Sequence, residues 1–577
     1  MKLTDIEIKN FRGIHHAHIF FPNSRIVCLI GAGDSGKSTI LKALEWVLWP
    51  SWSLIATDTD FYNCSTDVPI EITTSVAELP EALMREDKYG LYLRDWNSIM
   101  LGQDDEPTDH GITVLTIRLT IENSLEPRWE VITDRTDPKP INQNDRRMLS
   151  FGVVGEDFEK DFQWGRSSVL QKYSDSKDVL HSAFTQAMRN AVENTNLEAL
   201  DEVSTKIHEI GGKYGVPFSG DIHNRLIMQN GSYSTTVGVF EDKVPFSQRG
   251  LGSKRLLSIG MNVNAYKDGT LVLVDEVESG LEPYRISSLV NQFRSQFKDN
   301  GQLIMTTHSR SVVCECTVDE LVVITNENGE VNLQALNSIS DINADIQGLV
   351  RSQPDSFLCK RLIVCEGKTE VGFLRALDNF LFKQQGTRLA HFGVGVVPGG
   401  GGDNFFKLAK LVNKCGYDTC LLMDSDVSEE ESKKKEIEKL GIPVFSWDSG
   451  NAIEEQIFED ASLDCVEDLI DIVVEERGIN SVVNGLRKVF PNEDSQPWSI
   501  DDGRISMYED ITVEERHKIG SVAKAKNGKK SKYGEWFKNT TKGELVGNLI
   551  FQDLDNIDDD CGLKDVIFAI ENWVTRG

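Results

Sequence analysis

Between two apolar segments the chain reads Gly31-Ala32-Gly33-Asp34-Ser35-Gly36-Lys37-Ser38, which satisfies the pattern G-x-x-x-x-G-K-[ST]. The run before it, Ile26-Val27-Cys28-Leu29-Ile30, predicts a buried strand, and apolar residues at helical spacing follow it. Glycines in such a loop let backbone N–H groups surround a phosphate, Lys37 reaches the β- and γ-phosphates, and Ser38 completes a Mg²⁺ shell. The sequence therefore predicts an α/β unit with an ATP site, to which we assign Gly31, Gly33, Asp34, Ser35, Gly36, Lys37, Ser38 and Thr39.

Two further parts of a nucleotide site follow downstream. The apolar run Leu271-Val272-Leu273-Val274 ends in Asp275-Glu276, an arrangement in which one carboxylate binds Mg²⁺ and the next acts on the attacking water. After another apolar run, His308 stands where a sensor of the γ-phosphate is expected. A lone histidine is more often structural, but this one is the third matching part in order. We therefore expect Asp275 and His308 to bind nucleotide and Glu276 to be catalytic.

A second group of acidic residues follows later apolar runs. Leu362-Ile363-Val364-Cys365 leads into Glu366, and Glu370 comes one helical turn later, so both carboxylates can face one site. Residues 399–402 are all glycine, which allows close backbone approach. Leu421-Leu422-Met423 then leads into Asp424-Ser425-Asp426. Two Asp at the end of a buried strand are costly unless a cation neutralises them, and oxygen ligands without Cys or His select Mg²⁺ or Mn²⁺ over zinc.

A lysine-rich stretch near the end of the chain supplies positive charge. Between residues 524 and 542 it holds seven lysines, with Trp536 and Phe537 among them, as in a surface that meets nucleic acid. A solvated lysine loop is the alternative interpretation. Lys542 opens an apolar helical segment and is our candidate for a catalytic lysine, with Lys538 second.

Residues 176–212 carry two apolar stripes at helical spacing. The first stripe is Leu180, Phe184, Met188 and Ala191, and the second is Leu197, Leu200, Val203, Ile207 and Ile210. Two amphipathic helices inserted in an α/β domain either pack within the chain or form a dimerisation surface. Because the stripes exceed what two helices can bury by themselves, we expect a homodimer or a higher homo-oligomer.

Composition restricts the class of protein and its cellular compartment. The 577 residues include 61 Lys and Arg against 91 Asp and Glu, a net charge of −30. This charge argues against a generic coat of DNA-binding charge, does not exclude a nucleic-acid enzyme, and does not suit an anionic membrane surface. Neither a membrane-spanning run nor an apolar signal segment is present in the sequence. The ten cysteines are scattered, with no C-x-x-C pair, as in reduced protein. We therefore expect a cytoplasmic protein.

The first group of motifs, together with Phe11-Arg12-Gly13, resembles ATPases of the ABC class, especially the SMC-like branch. That family's signature segment corresponds best to residues 250–255, Gly-Leu-Gly-Ser-Lys-Arg. Leu251 occupies the place where the family has a serine that touches the γ-phosphate of the other subunit, with Ser253 and Ser247 as candidate substitutes. The departure leaves nucleotide binding as expected and predicts slow hydrolysis.

The second group resembles the TOPRIM domain of topoisomerases, primases and certain nucleases. By that resemblance Glu366 and Glu370 flank the metals, Asp424 and Asp426 hold them, and Glu454 is a further ligand; Glu366 and Asp424 then count as catalytic together with Lys542. An SMC-like ATPase followed by TOPRIM resembles the OLD family, the overcoming-lysogenisation-defect nucleases. The implied layout is an ATPase part at 1–170 and 216–350, a helical dimerisation insertion at 171–215, and a TOPRIM nuclease domain with a C-terminal helical region at 351–577.

The family resemblance implies metal-dependent cleavage or nicking of DNA, regulated by ATP, often in defence against phage. Members act alone, beside a helicase-like partner in Gabija systems, or with the RNA, DNA and reverse transcriptase of a retron. Two other classes stay open: a regulatory ATPase that binds nucleic acid without cutting it, and a topoisomerase or primase.

Overall fold

The computed structural model describes residues 1–576 apart from residue 52, residue 150, and residues 156–157, 165–168, 174–199, 228–235, 266–268, 340–344, 427–429, 449 and 525–533. The chain divides into two compact units, Met1–Ser338 and Ile339–Gly577, which we call the first and the second unit. The first unit ends before residue 350, where we placed the end of the ATPase part. The helix Ile346–Ser352 contacts the helix Asp403–Lys414 and so belongs to the second unit.

One mixed sheet of 13 strands forms most of the first unit. The strands of this unit are β1 (Lys2–Phe11), β2 (Ile14–Phe20), β3 (Ile26–Ile30), β4 (Ile70–Ala77), β5 (Leu93–Asp95), β6 (Thr113–Ile121), β7 (Pro127–Thr133), β8 (Thr136–Pro140), β9 (Phe151–Val154), β10 (Ile222–Ile227), β11 (Thr236–Glu241), β12 (Val244–Pro245), β13 (Leu271–Val274), β14 (Gln302–Thr306), β15 (Leu321–Glu327) and β16 (Glu330–Ala335). β10, β11 and β12 make a separate antiparallel sheet.

The large sheet has an antiparallel and a parallel half. The order β8-β7-β6-β4-β1-β2 is antiparallel, with β5 beside β6, and the order β15-β3-β14-β13-β9 is parallel. β16 joins the halves, antiparallel to β15 and parallel to β2. β3 and β13 are wholly apolar and buried along their length, as strands covered on both faces require. The predicted α/β character is confirmed.

The helices of the first unit, within the described residues, lie mostly in connections between strands. They are α1 (Lys37–Val47), α2 (Glu81–Met84), α3 (Trp96–Met100), α4 (Gln143–Arg146), α5 (Asp201–Lys213), α6 (Leu251–Asn264), α7 (Pro283–Gln296) and α8 (Arg310–Glu315).

The predicted dimerisation insertion is described only in part. The first apolar stripe, with Leu197 of the second, lies outside the described residues. The rest of the second stripe is on or next to α5, where Val203, Ile207 and Ile210 are buried. α5 packs on α6 so closely that a Cβ added at Gly260 would lie 2.9 Å from Cγ2 of Ile210. The expectation that this stripe forms a dimer surface is wrong, because its apolar face is covered within the chain.

The second unit centres on a parallel sheet with the order β18-β17-β19-β20. Its strands are β17 (Arg361–Cys365), β18 (Val394–Pro398), β19 (Asp418–Met423), β20 (Val444–Ser446), and a separate hairpin of β21 (Trp498–Asp501) and β22 (Arg504–Met507). Its helices are α9 (Ile346–Ser352), α10 (Lys368–Gln385), α11 (Asp403–Lys414), α12 (Glu431–Lys439), α13 (Ile453–Asp460), α14 (Leu463–Arg477), α15 (Ile479–Leu486), α16 (Val513–Ala523), α17 (Thr540–Asp553) and α18 (Gly562–Thr575).

Helices α10 and α17 cross backbone against backbone. A Cβ added at Gly372 would lie 2.2 Å from the carbonyl oxygen of Thr540, and one added at Gly543 would lie 2.2 Å from that of Thr369. No larger residue fits at either glycine unless the helices separate. The crossing therefore fixes the first turn of α17 beside the first turn of α10, which follows Glu366. In the part of the chain that the structure describes, no helix is both long and apolar enough to span a membrane.

Candidate nucleotide and metal sites

The predicted parts of the nucleotide site meet at one edge of the large sheet. β3, β14 and β13 are neighbouring parallel strands, and their carboxyl ends lead into Gly31, Thr307 and Asp275 respectively. Open α/β sheets bind ligands at this edge. The topology thus places the phosphate loop, Asp275 and His308 on the same side of the sheet.

The phosphate loop (residues 31–38) depends on its first glycine. Gly31 has φ 144°, and a Cβ there would lie 2.3 Å from the carbonyl oxygen of Ile324 on β15. Gly36, with φ 96°, precedes the first residue of α1. The loop therefore turns tightly against the sheet and presents the first turn of an 11-residue helix, a position suited to a phosphate group. Gly33, Asp34 and Ser38 are exposed, Thr39 is half-buried and Ser35 is buried.

Lys37 is held inside the phosphate loop. Its side chain is 3% exposed, and Nζ donates to the carbonyl oxygen of Ala32 at 2.6 Å, to that of Gly31 at 3.1 Å and to Oγ of Ser35 at 3.1 Å. Burial lowers the pKa of Lys37 to about 8, and the carboxylates of Asp275 and Asp34 oppose that shift. The ammonium group is therefore already positioned where a triphosphate would bind.

A chain of hydroxyl contacts fixes the two downstream acids. Oδ1 of Asp275 accepts hydrogen bonds from Oγ of Ser38 at 2.9 Å and from Oγ1 of Thr306 at 2.6 Å. Oγ1 of Thr306 in turn accepts from the backbone N–H of Glu276 at 2.8 Å. Ser38 and Asp275, the two predicted Mg²⁺ ligands, are thus brought together. Thr306 was missed as a functional residue, although it lies two residues before His308, which we singled out.

His308 is exposed, and its contact is made by the backbone. Its N–H donates to Oε1 of Glu278 at 2.6 Å, while Oε2 of Glu278 accepts from Oγ1 of Thr307 at 2.7 Å. Glu278 thus links the turn after β13 to the turn after β14. Nothing in its sequence context distinguishes Glu278 from an ordinary exposed acid.

The candidate signature segment forms the start of α6. Arg255 is buried and donates to the carbonyl oxygens of Gly155 at 2.6 Å, of Glu276 at 3.1 Å and of Asp275. It therefore ties α6 to the residues that carry the predicted catalytic acid. Leu251 is 51% exposed and packs against Gly280, where an added Cβ would lie 2.5 Å from Cγ of Leu251.

The acidic residues of the second unit gather at the carboxyl ends of β17 and β19, which are adjacent and parallel. Oε2 of Glu366 accepts from the backbone N–H of Asp424 at 3.1 Å, and Oδ1 of Asp424 accepts from the N–H of Ile453 at 2.9 Å. Oε2 of Glu370 accepts from the N–H of Gly367 at 2.9 Å. The glycine run packs on β17, since the N–H of Gly401 donates to the carbonyl oxygen of Glu366 at 3.0 Å. We call Glu366, Glu370, Asp424, Asp426 and Glu454 the acid cluster.

Burial and mutual repulsion dominate the electrostatics of the acid cluster. The pKa of Glu366 and that of Glu454 are both raised to about 7, by burial first and then by the charge of Glu370. Burial also raises the pKa of Glu370, and burial together with the charges of Glu370 and Glu366 raises that of Asp424. These carboxyl groups therefore favour either a proton or a neighbouring cation.

The donor set fits a hard divalent cation. All its members are carboxylates at one sheet edge, with no Cys or His among them, and Mg²⁺ and Mn²⁺ prefer such oxygen ligands. Within the described residues, no three Asp, Glu, His or Cys side chains are spaced to enclose a metal ion as they stand. Binding a cation thus requires these side chains to draw together, which the repulsion between them opposes until the cation is bound.

Lys524, and not Lys542, is the lysine that the structure joins to the acid cluster. Its Nζ lies 2.6 Å from Oδ2 of Asp426 and 2.8 Å from Oε2 of Glu455. Lys542 instead pairs with Glu476 at 2.6 Å, and among the described residues no contact links it to the acid cluster. Lys524 follows α16, which packs on α13 so tightly that a Cβ at Gly520 would lie 2.7 Å from Cα of Glu455.

The other lysines and the two aromatic residues of the lysine-rich stretch fall into three groups. Lys526, Lys529, Lys530 and Lys532 lie outside the described residues. Lys538 is 60% exposed and lies 3.8 Å from Glu535. Trp536 and Phe537 are each 1% exposed and pack against Phe458. The interpretation of these two aromatic residues as a surface for nucleic-acid bases is wrong, because both rings are part of the hydrophobic core.

Two acidic residues beside the acid cluster were missed. The charge of Glu430 contributes to the raised pKa of Glu366, and Glu455 is 5% exposed and accepts from Lys524. Glu455 also caps α13 through the N–H of Ala452 at 2.9 Å. Its position directly after Glu454 is the sequence feature from which it could have been predicted.

Family models match three segments of the chain. Residues 1–88 match an AAA ATPase domain, and residues 115–315 match an AAA domain family that carries the description AbiEii toxin, Type IV TA system. Residues 357–426 match the overcoming lysogenization defect protein-like TOPRIM domain. The first two matches contain the phosphate loop and Asp275, and the third contains Glu366 and Asp424. The predicted order of an ATPase domain followed by a TOPRIM domain is confirmed.

Two nucleases are similar in sequence to parts of this chain. The Old nuclease of Escherichia phage P2 is 20% identical over 470 residues, which cover 74% of this chain and 77% of that protein. The OLD nuclease of Thermus scotoductus (strain ATCC 700910 / SA-01) is 24% identical over 335 residues, 53% of this chain and 59% of that protein. Of the second relative, the matched region thus spans about three fifths.

A solved structure, an Smc head bound to the C-winged helix domain of ScpA, matches at 15% identity with a TM-score of 0.37, covering 59% of this chain and 99% of that one. Along this chain the two AAA matches precede the OLD-like TOPRIM match. The chain is thus similar to OLD nucleases, with ATPase-domain matches followed by an OLD-like TOPRIM match.

Proposed function

We propose that the chain is a DNA endonuclease that depends on Mg²⁺ or Mn²⁺ and is controlled by ATP. The observation that carries the proposal is the acid cluster, in which carboxylates from β17, α10, β19 and α13 meet at one sheet edge with no soft ligand among them. In phosphodiester cleavage, bound divalent cations stabilise both the attacking and the leaving oxygen. Glu366, Glu370, Asp424, Asp426 and Glu454 would hold these cations.

We assign to Lys524 the role of the lysine at the cleavage site, for which the sequence suggested Lys542. Its ammonium group lies at the acid cluster between Asp426 and Glu455, so it can offset negative charge that develops on a phosphate there. In the metal-free protein the same contacts also reduce the repulsion between the carboxylates. Lys524 supports the cleavage site, and Lys542 has another role, considered below.

Supercoiled plasmid is the substrate that tests the proposal. With Mg²⁺ or Mn²⁺ the protein should convert it to nicked or linear DNA, and EDTA should prevent the conversion. Cleavage that persists in EDTA, or in a Glu366→Gln variant, would contradict the assignment to the acid cluster. DNA binding without cleavage under every metal condition would favour the other class, a regulatory ATPase that binds nucleic acid.

ATP control is supported by the complete phosphate loop and by the contacts that connect it to Asp275 and Glu276. Control requires that ATP bind two states of the protein with different affinity, since tight binding alone shifts no equilibrium. Leu251 at the signature position favours slow hydrolysis. The expected pattern is a nicking rate that changes with ATP concentration in the wild type and not in Lys37→Ala.

The cellular setting is proposed from the family alone: a cytoplasmic protein that acts on DNA in defence against phage, by itself or with a helicase-like or retron partner. A homodimer is part of the proposal. Light scattering tests the assembly, because a particle of 64.6 kDa would be a monomer and would contradict it.

A further inference from the structure

A cavity of about 600 Å³ opens in the second unit at the first turn of α10, the helix that carries Glu370 of the acid cluster. Lys368 lines it from the first turn of α10, Glu476 from the end of α14, and Thr540, Thr541 and Lys542 from the first turn of α17. We call it the lysine pocket. Its size is that of a site for a nucleotide-sized group.

The charges in the lysine pocket favour an anion. Two ammonium groups, of Lys368 and Lys542, face one carboxylate, that of Glu476, in a chain whose net charge is −30. Nζ of Lys542 contacts Oε2 of Glu476 at 2.6 Å and donates to the carbonyl oxygen of Trp536 at 3.0 Å. Lys368 is exposed, and in the described residues no hydrogen bond or ion pair engages its ammonium group. The ammonium group of Lys368 is therefore available to contact a ligand.

The remaining lining suits a sugar–phosphate group. The hydroxyls of Thr540 and Thr541 are donors, and Asn539 uses its side-chain oxygen to accept from the N–H of Lys542 at 2.9 Å, which holds this first turn in place. Ile472 and Leu545 supply an apolar wall. Polar donors on one side and an apolar wall on the other are what a phosphate joined to a sugar requires.

The position of the pocket relative to the cleavage site is fixed by covalent and backbone geometry. Lys368 is the first residue of α10 and lies two residues before Glu370, about 3 Å along the helix axis and on the opposite side of the helix. The backbone crossing of α10 and α17 at Gly372 and Gly543 holds Lys542 next to this same turn. The pocket and the acid cluster therefore lie on two sides of the same first turn of α10.

We propose that the lysine pocket binds a backbone phosphate of DNA next to the phosphate that is cleaved. The inference rests on the nuclease function proposed above, and it deepens that function by naming how the strand is held. The acid cluster repels DNA before metal binds, so a cationic contact beside it is needed to keep the strand in place. Lys542 then positions the substrate without touching the reacting atoms.

Fluorescence anisotropy of a labelled oligonucleotide in EDTA tests this without cleavage. Lys368→Gln should raise the Kd about threefold to tenfold and lower the slope of log K against log salt by about one, and adding Lys542→Gln should extend both effects. Glu476→Gln should lower the Kd, because the carboxylate that competes with phosphate for Lys542 is gone. Lys383→Gln, at the far end of α10, removes an equal charge and should leave the Kd unchanged.

Lys368 is exposed, so Lys368→Gln stays informative even if Lys542→Gln fails to fold. If the wild type binds and nicks DNA while Lys368→Gln matches Lys383→Gln in Kd and salt slope, the pocket assignment is wrong and the nuclease function stands. If the wild type neither binds nor cuts DNA, both proposals are wrong. Displacement by inorganic phosphate at concentrations where an unlabelled oligonucleotide has no effect would assign the pocket to a free anion and overturn the DNA assignment.

Discussion

The phosphate loop surrounds one buried cation with its own oxygen atoms, whereas the acid cluster gathers several buried anions around one lysine. The ammonium group of Lys37 donates to three oxygen atoms of the loop before any nucleotide arrives. Asp424 and Glu366 are both buried near the negative charge of Glu370, and both have a raised pKa. The first site is thus organised in advance, and the second becomes organised only when a cation joins it.

This difference predicts that substitutions at the two sites have different effects. Loss of a group in the phosphate loop should remove nucleotide affinity and leave the acid cluster intact. Loss of a carboxylate should remove metal affinity and relieve repulsion at the same time. A substitution in the phosphate loop should therefore lower both activity and stability. Loss of a carboxylate from the acid cluster should lower activity and raise stability.

The largest effect is expected from Asp424→Ala. Removing a carboxylate that would bind the metal should lower the plasmid nicking rate at least about a thousandfold, while ATP binding stays at the wild-type level. Nicking is read from agarose gels and ATP binding by calorimetry. Nicking by Asp424→Ala at the wild-type rate would separate the acid cluster from the chemistry.

Lys37→Ala should weaken ATP binding about a hundredfold, since a hydrogen-bonded charge on a phosphate contributes about 1.5–3 kcal/mol. The nicking rate of this variant should not respond to ATP. Glu276→Gln is the matched control, because it should bind ATP and fail to hydrolyse it. Flat and superimposable curves of nicking against ATP for the wild type and Lys37→Ala would show that the ATP site does not control cleavage.

The pH dependence of ATP affinity should follow the pKa of Lys37, about 8. Below that value the side chain is protonated and can contact phosphate, and above it the charge is lost. We expect ATP to bind up to about tenfold more weakly at pH 9 than at pH 7. The residual binding of Lys37→Ala should lack this dependence, and an equal pH dependence in that variant would assign the effect to another group.

The smallest effect concerns thermal stability without metal. Glu366 and Glu454 have a folded-state pKa of about 7, above the ordinary value of 4.5, so the folded state binds more protons than the unfolded state between these values. The free energy of unfolding therefore falls as pH rises through that range and regains nothing above it. In EDTA the protein should melt at a lower temperature at pH 8 than at pH 5.

Mg²⁺ should reduce this difference in melting temperature by replacing the protons, and Glu366→Gln should reduce it in EDTA. Lys383→Gln provides the matched background for the other titrating groups of the chain. A difference between pH 5 and pH 8 that is equal in Glu366→Gln and in the wild type would place its origin outside the acid cluster.

Strand ends were predictable from sequence because an apolar run that stops at a glycine or a carboxylate marks both the strand and its edge. Asp275, Glu366 and Asp424 all follow this rule, and the structure brings each to the expected end of a parallel strand. Local pattern was sufficient here, since the functional residue is adjacent to the element that positions it.

Partners far apart in the chain were not predictable. Lys524 meets Asp426 across 98 positions, and nothing near either residue indicates the pairing. Trp536 lies among lysines, so composition indicated a surface, yet the fold turns its ring into the core. The second apolar stripe showed a face to be buried without showing what covers it. Periodicity identifies faces, and only the tertiary fold identifies their partners.

The large sheet also sets the order in which the chain can become active during synthesis. β3 has β14 and β15 as its neighbours, and β2 is completed by β16, so the ATP site cannot form until about residue 335 has left the ribosome. At about 5–20 residues per second, that interval lasts on the order of 20–70 s. The TOPRIM segment is translated only afterwards. A newborn molecule therefore can complete its candidate nucleotide site before the acid cluster has been synthesised.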